Sequence, residues 1–133
     1  MTNYSRAVLL ALALAAAACE TGFLDPELAG VWGGQNMELR IEADHIRATL
    51  LCQTTGTFPG DVRLDSLQAF ERNGLVRNGP VTAHMKLVAW LAHPDTLMAT
   101  IYAPGPLVDP APPIPLVRGK PGDFDSSLIL CAQ

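Results

Sequence analysis

The chain has 133 residues, of which 49% are hydrophobic and 17% charged, and its formal net charge is −4. This length suits one domain with a core of its own. The basic residues are scattered singly rather than gathered into a run or patch, which argues against nucleic acid as a partner.

The N-terminal segment has the layout of an export signal. Arg6 lies in a short polar start, and residues 7–18 form an unbroken apolar run that ends in alanines before Cys19. A helix of this length covers about 18 Å, whereas the hydrocarbon core of a bilayer is about 30 Å thick. The run therefore predicts a signal peptide over residues 1-18 rather than a membrane span.

Two processing routes remain open at this site. In one, a general signal peptidase cleaves at the alanines and releases a soluble periplasmic protein. In the other, residues 14–19 resemble the lipobox of bacterial lipoproteins, with Ala16 where leucine is usual. That resemblance implies a diacylglyceryl lipid on Cys19, which would hold the protein on a membrane. Residues 19-27 would then form a lipidated tether. If the host is Gram-negative, Glu20 directly after the cysteine favours a location at the outer membrane, facing the periplasm.

The three cysteines, Cys19, Cys52 and Cys131, fit the lipoprotein route. An odd thiol in an exported protein needs an explanation, and a lipid on Cys19 leaves Cys52 and Cys131 as one pair. We expect a disulfide between these two, because exported proteins fold in an oxidising compartment. The bond would contribute roughly 4–5 kcal/mol in the chain-entropy model. The alternative is two buried free thiols.

The mature sequence opens with a glycine-flanked strand. Gly30, Val31 and Trp32 resemble the Gly-x-Trp motif that begins the first strand of lipocalins and other calycin barrels. The resemblance implies a β-barrel in which Trp32 closes one end. The alternative is an ordinary strand that contributes one tryptophan to the core.

Alternating apolar residues predict a first hairpin. Residues 37–41 and 46–52 each place apolar side chains on one face, and Asp44-His45 forms the turn. This pattern places Cys52 on the inward face, where a structural disulfide would lie. Residues 53–60 predict a turn region, since they contain two glycines and a proline.

The middle of the chain predicts further short strands. Residues 62–64 alternate, Asn73-Gly74 predicts a tight turn, and residues 78–80 predict another. Residues 82–92 fit a strand or a helix, and we favour the strand. Residues 96–102 would complete a second hairpin through Pro94-Asp95.

Two features of the predicted hairpins bear on binding. Small side chains on the inward face of the sheet would leave room for a ligand, namely Ala48, Ala83, Ala89 and Ala99. Val88 and Trp90 would face outward. They would then form a ligand or partner surface, or contact a covering loop.

The C-terminal part begins with the Pro-rich loop 104-115, which holds six prolines. Such a segment cannot be a central strand and predicts either a stiff extended connector or a recognition loop. Residues 116–118 and 127–131 predict the last strands. Altogether residues 28-133 predict a single all-β domain, a small antiparallel barrel or sandwich of about 7-9 short strands.

Residues that carry chemistry are sparse. No nucleophile elbow, zinc-protease helix or phosphate-cradling glycine loop is present. The histidines and the main acidic candidates are typical of a solvated surface: His45, His84, His93, Asp61, Asp65 and the Asp123-x-Asp125-x-Ser127 run. We therefore expect no catalytic residue, no cofactor and no metal site.

The leading hypothesis is a lipid-anchored, non-catalytic envelope protein that binds a small apolar ligand or an envelope protein. One alternative is an inhibitor or partner-binding lipoprotein that uses the Pro-rich loop 104-115. Another is a soluble periplasmic protein, should Cys19 carry no lipid. An enzyme is the least favoured class.

Overall fold

In the computed structural model, which describes residues 28–105 and 111–124, eight antiparallel strands close into a barrel. The strands are β1 (Gly30–Gly34), β2 (Met37–Ile41), β3 (His45–Leu50), β4 (Thr55–Pro59), β5 (Ala69–Asn78), β6 (Val81–His93), β7 (Thr96–Tyr102) and β8 (Ile114–Arg118). Each strand pairs with the next, and β1 pairs with β8. None of the described residues forms a helix that is long and apolar enough to cross a membrane. The prediction of an all-β antiparallel domain is confirmed, and the sheet is a barrel rather than a sandwich.

Strand direction gives the barrel two different ends. The odd-numbered strands run toward what we call the open end, which carries turns 35–36, 51–54 and 79–80 and the segment after β7. The opposite end, the closed end, carries Leu28, the loop 60–68 and the two turns that follow β2 and β6.

The core is covered more completely at the closed end than at the open end. Side chains with no exposure gather near the closed end, among them Leu28, Trp32, Ile46, Phe58, Val62 and Leu97. Of the six half-buried apolar side chains that pack on the core, four lie toward the open end, Leu50, Met85, Ile101 and Ile114, and two toward the closed end, Leu64 and Leu91. Among the described residues, sixteen buried apolar side chains form one core cluster within the barrel.

Several predicted strands are confirmed. Residues 37–41 form β2, residues 96–102 form β7, and residues 82–92 lie within the strand β6. The predicted turns at Gly79-Pro80 and Pro94-Asp95 join their strands as expected. Alternation was a reliable guide here because each of these strands buries one face.

The predicted inward position of Cys52 is wrong. Strand β3 ends at Leu50, and Cys52 and Gln53 have φ angles of 60° and 58°. Both residues lie in the left-handed region, which reverses the chain before β4. Cys52 is therefore a half-buried turn residue at the open end, not a strand residue of the core.

The predicted turn at residues 53–60 and the predicted strand at residues 62–64 are also wrong. Residues 55–59 form β4, in which Gly56 lies buried opposite Ala48. A Cβ on Gly56 would lie 3.0 Å from the ring of Phe58, so this glycine makes room for a bulky core neighbour. Residues 62–64 belong to the closed-end loop, and their alternation reflects Val62 entering the core.

The predicted turn at Asn73-Gly74 lies instead inside β5. A Cβ on Gly74 would lie 2.2 Å from the backbone oxygen of Thr57 and 2.6 Å from the ring of Phe58. The glycine thus allows β4 and β5 to approach closely where the barrel bends. Ala83 is exposed rather than inward, because the β5–β6 hairpin extends past the open end, whereas Ala48, Ala89 and Ala99 are buried as predicted.

After β8 the chain turns back at Gly119 and crosses the outer face of β1. The backbone N–H of Gly122 donates to the Glu38 carboxylate at 2.9 Å, and that of Asp123 donates to the Gly34 carbonyl at 2.9 Å. Gly33 lies directly beneath this segment. A Cβ there would lie 2.3 Å from the backbone of Lys120 and Pro121.

We expect Gly33→Ala to lower the free energy of unfolding by about 1–3 kcal/mol, the usual cost of overpacking. The neighbouring backbone atoms cannot move aside as a flexible side chain would. Gly105→Ala is the matched control, because a Cβ at Gly105 meets nothing within 4 Å. Urea denaturation measures both changes. Equal midpoints for the two variants would show that residues 120–121 do not press on β1.

Candidate functional site

The open end carries an apolar groove of about 390 Å³, which we call the mouth groove. Its apolar walls are formed by Met37, Leu50, Leu51, Ile101 and Ile114. The polar groups beside them are uncharged, and no described residue that lines the groove has an ionisable side chain. Such a site is suited to an apolar ligand and offers no acid, base or nucleophile for catalysis.

A second groove of about 410 Å³, the outer groove, lies on the outside of β6 and β7. Val88, Trp90 and Tyr102 form its floor, and Pro112 and Pro113 lie along it. The predicted outward direction of Val88 and Trp90 is confirmed. Both side chains are half-buried, because the proline segment runs above their face of the sheet.

One hydrogen bond holds residues 111–113 of the Pro-rich loop between the two grooves. The hydroxyl of Thr100 donates to the backbone carbonyl of Ala111 at 2.8 Å. Thr100, Ala111 and Pro112 line both the mouth groove and the outer groove. Residues 111–113 therefore form a shared wall, and a change in their position alters both grooves together.

The only charge of the outer groove among its described residues is Glu71, and it has a partner. The ammonium of Lys86 lies 3.6 Å from the Glu71 carboxylate. Both groups are partly exposed, so this pair contributes little to stability. It does reduce the negative charge at the edge of the outer groove.

Trp32 lies fully buried toward the end of the barrel opposite to the mouth groove. Its indole N–H donates to the Leu28 carbonyl at 2.9 Å, and the Arg118 guanidinium lies 4.6 Å from the ring centroid. Arg118 in turn donates to the Pro94 carbonyl at 2.8 Å and lies 3.5 Å from the Asp95 carboxylate. Sequence reasoning missed Arg118, whose signal was a lone cation at the end of an apolar strand.

The turn between β2 and β3 brings His45 between two carboxylates. Its Nδ1 lies 2.6 Å from Asp44 and its Nε2 lies 3.2 Å from Glu42. The hydrogen bond from His45, and then its charge, lowers the pKa of Asp44. The three side chains are close enough to be tested as metal ligands. However, the two carboxylates contact different nitrogens of the His45 ring. This arrangement is typical of a turn that is stabilised by hydrogen bonds.

The other sequence candidates do not converge on one site. His84 and His93 are exposed near opposite ends of β6. Asp65 accepts the backbone N–H groups of Leu67 and Ala69 at 2.8 and 3.0 Å, so it shapes the closed-end loop. The exposed Asp61 receives the Arg72 guanidinium on its backbone carbonyl.

Several predicted features lie outside the described residues. They are the signal peptide, the tether, Cys19, Asp125, Ser127, Cys131, the strand at 127–131 and the centre of the Pro-rich loop. Cys52 lies within the described residues, and its side chain is not a free thiol. Its pairing with Cys131 stays a prediction.

No family model, curated protein or solved structure matches this chain. The two grooves and the residues around them are therefore the basis on which function is inferred.

Proposed function

We propose that this protein is an exported, lipid-anchored binding module that holds a small apolar ligand in the mouth groove. The observation that carries the proposal is the groove itself, with its apolar walls and its lack of ionisable side chains among the described lining residues. Its volume falls in the lower part of the range of small-molecule sites. The ligand would lie at the mouth, where the described groove is, whereas the buried side chains of the core cluster lie inside the barrel.

The architecture supports a carrier-like role. Eight-stranded up-and-down barrels include the lipocalins, which hold one small ligand inside the barrel. The Gly-x-Trp resemblance fits this class, since Trp32 is buried at the closed end. Asp44, His45 and Asp65 shape turns and loops, and His84 and His93 are exposed near opposite ends of β6, so the proposal is a binding module and not an enzyme.

The export and anchoring part of the proposal rests on the sequence. The lipobox-like residues 14–19 and the odd cysteine support a lipid on Cys19, and Glu20 leans toward the outer membrane if the host is Gram-negative. The soluble periplasmic alternative follows if Cys19 is not lipidated. A disulfide between Cys52 and Cys131 belongs to the same proposal.

Titration with the uncharged fluorescent dye N-phenylnaphthylamine tests the mouth groove. We expect saturable binding to the wild type and at least a tenfold weaker affinity in Leu51→Glu, because a carboxylate in the apolar wall must be desolvated by the dye. Leu51 lies in a turn, so the substitution spares the barrel core.

Leu67→Glu is the matched control, since Leu67 is 80% exposed and lies in the closed-end loop. The control should bind the dye like the wild type, and both variants should keep the wild-type melting temperature. Equal affinities of the two variants, or no saturable binding at all, would overturn the assignment of the mouth groove.

A second candidate is recognition of an envelope protein through the Pro-rich loop. The exposed Pro112 and Pro113 beside Trp90 favour it, because an aromatic groove next to prolines offers apolar contact without deep burial. The two candidates separate cleanly. A protein partner on the outer groove would be lost in Trp90→Glu and retained in Leu51→Glu, whereas the dye would show the opposite pattern.

A further inference from the structure

A third groove, of about 310 Å³, lies on the outside of β4, β5 and β6. We call it the threonine groove, because Thr55, Thr57 and Thr82 line it together with Leu75 and Arg77. In the strand register Arg77 lies directly between Thr55 of β4 and Thr82 of β6. The fold therefore places one guanidinium group in a row with two hydroxyl groups.

Two further arginines continue this outer surface. Arg47 of β3 pairs with Thr57, and Arg40 of β2 pairs with Arg47, so these three residues form one row across three strands. Both arginines are exposed, as is Arg77. We call the three arginines and the three groove threonines the basic face. The barrel thus gathers cations that are scattered along the sequence.

The arginines of the basic face have no carboxylate within 4.0 Å among the described residues. The ion pairs in this part of the chain use His45, Lys86 and Arg118 instead. Glu38 lies on the same outer side of β2, and its carboxylate accepts the backbone N–H of Gly122 at 2.9 Å. The positive charge of the basic face is therefore not neutralised by a described carboxylate in contact with it.

Arg40 lies directly opposite Arg47, and this arrangement is unfavourable in the free protein. Like charges that face each other on neighbouring strands repel and destabilise the sheet. The two arginines meet in this way although acidic residues outnumber basic residues by 13 to 9. A bound anion relieves the repulsion, because a guanidinium offers paired N–H donors that fit a carboxylate or a phosphate. The basic face therefore has the charge and the donors of an anion-binding surface.

The threonine groove indicates which kind of anion fits. A threonine hydroxyl both donates and accepts hydrogen bonds, as the hydroxyl groups of a sugar do. Leu75 is 45% exposed in the same groove and offers an apolar contact to the C–H face of a sugar ring. A membrane surface is met best by several exposed apolar side chains beside the cations, and Leu75 is the only one in the described groove. These features favour a glycan over a membrane.

We propose that the basic face binds an anionic glycan, a chain of sugars in which more than one sugar carries a carboxylate or phosphate. Arg77 holds one anionic group in the threonine groove, and Arg40 and Arg47 hold a second. Strands β3 and β5 lie about 10 Å apart, since neighbouring strands are separated by about 4.8 Å, so the two groups belong to different sugars. The basic face shares no lining residue with the mouth groove, and the proposal does not rest on the apolar ligand.

Isothermal titration calorimetry with hexagalacturonate, a linear chain of carboxylated sugars, tests the basic face. We expect saturable binding to the wild-type protein at low ionic strength, where charge interactions are screened least. Arg77→Gln and Arg47→Gln should each bind about tenfold more weakly, because each loses a charged hydrogen-bond donor to the glycan.

Arg63→Gln is the matched control, since it makes the same change in charge at an exposed residue of the closed-end loop. It should bind hexagalacturonate like the wild type. Arg47→Gln should keep or exceed the wild-type melting temperature, because it removes the repulsion with Arg40. A lower melting temperature together with unchanged glycan affinity would give Arg47 a structural role and overturn the proposal.

Three further outcomes would overturn the inference. The first is the absence of saturable binding to the wild type, or equal affinities of Arg77→Gln and Arg63→Gln. The second is equally tight binding of hexaglutamate, which has the carboxylates but not the sugar hydroxyls, since this would reduce the basic face to a non-selective anion surface. The third is binding to phosphatidylglycerol vesicles without binding to hexagalacturonate, which would assign the basic face to a membrane.

Discussion

Replacing Trp32 by alanine should lower the free energy of unfolding by about 3–5 kcal/mol, the range for a buried tryptophan in a close-packed core. The side chain has no exposure. Its loss also leaves the Leu28 carbonyl without its donor and removes the ring beneath the Arg118 guanidinium. This cost is comparable to the whole stability of many small domains, so the variant should be partly unfolded at room temperature. Urea denaturation followed by circular dichroism measures the change.

Two further variants separate the contributions to the stability loss in Trp32→Ala. Trp32→Phe keeps an aromatic ring under Arg118 but loses the indole N–H, so we expect a cost of about 1–3 kcal/mol from the unpaired Leu28 carbonyl. Trp90→Ala removes the other tryptophan, which is half-buried on the outer face, and should cost clearly less than Trp32→Ala. If the two alanine variants lost equal stability, the burial of Trp32 would not contribute more to folding than the outer position of Trp90.

Cys19→Ala should move the protein from the membrane fraction to the soluble fraction of the exported compartment. The reason is that the proposed lipid is bonded to the Cys19 sulfur, and each buried CH₂ of an acyl chain contributes about 0.8 kcal/mol to membrane binding. Removing two or more chains therefore removes the anchor outright. Fractionation of cells, followed by intact mass spectrometry of the recovered protein, measures both the location and the acyl mass.

Cys52→Ala is the matched cysteine control for this experiment. It should leave the protein on the membrane, since its thiol is not the proposed lipid site. A wild-type protein without acyl mass, recovered in the soluble fraction, would contradict the lipoprotein route and favour cleavage by the general signal peptidase.

Strands were predicted well from the sequence where one face of the strand is buried. The prediction failed where a glycine or proline lies inside a strand of the barrel rather than in a turn. Residues 37–41 and 96–102 alternate cleanly, because every second side chain of each strand is buried in the core. Gly56 and Gly74 resemble turn residues, although both lie inside strands beside Phe58. That role depends on which strand packs next to which, and no local pattern contains this information.

The mouth groove could not be predicted for a related reason. Leu50, Ile101 and Ile114 alternate in the same way as fully buried core residues. Whether such side chains lie under cover depends on which loops fold over each end of the barrel. At the closed end, Val62 enters the core from an irregular loop and covers it. At the open end, Pro112 lies along one side of the mouth groove and does not cover it.

The place where the first strand begins has a consequence for orientation. Strand β1 starts at the closed end, and Leu28 is packed there nine residues after Cys19. A lipid on Cys19 would thus attach the barrel by its closed end through a leash of about 30 Å at full extension. The mouth would then lie at the end of the barrel opposite to the attachment point. In the proposed function, the ligand would therefore enter at the end of the barrel farthest from the lipid.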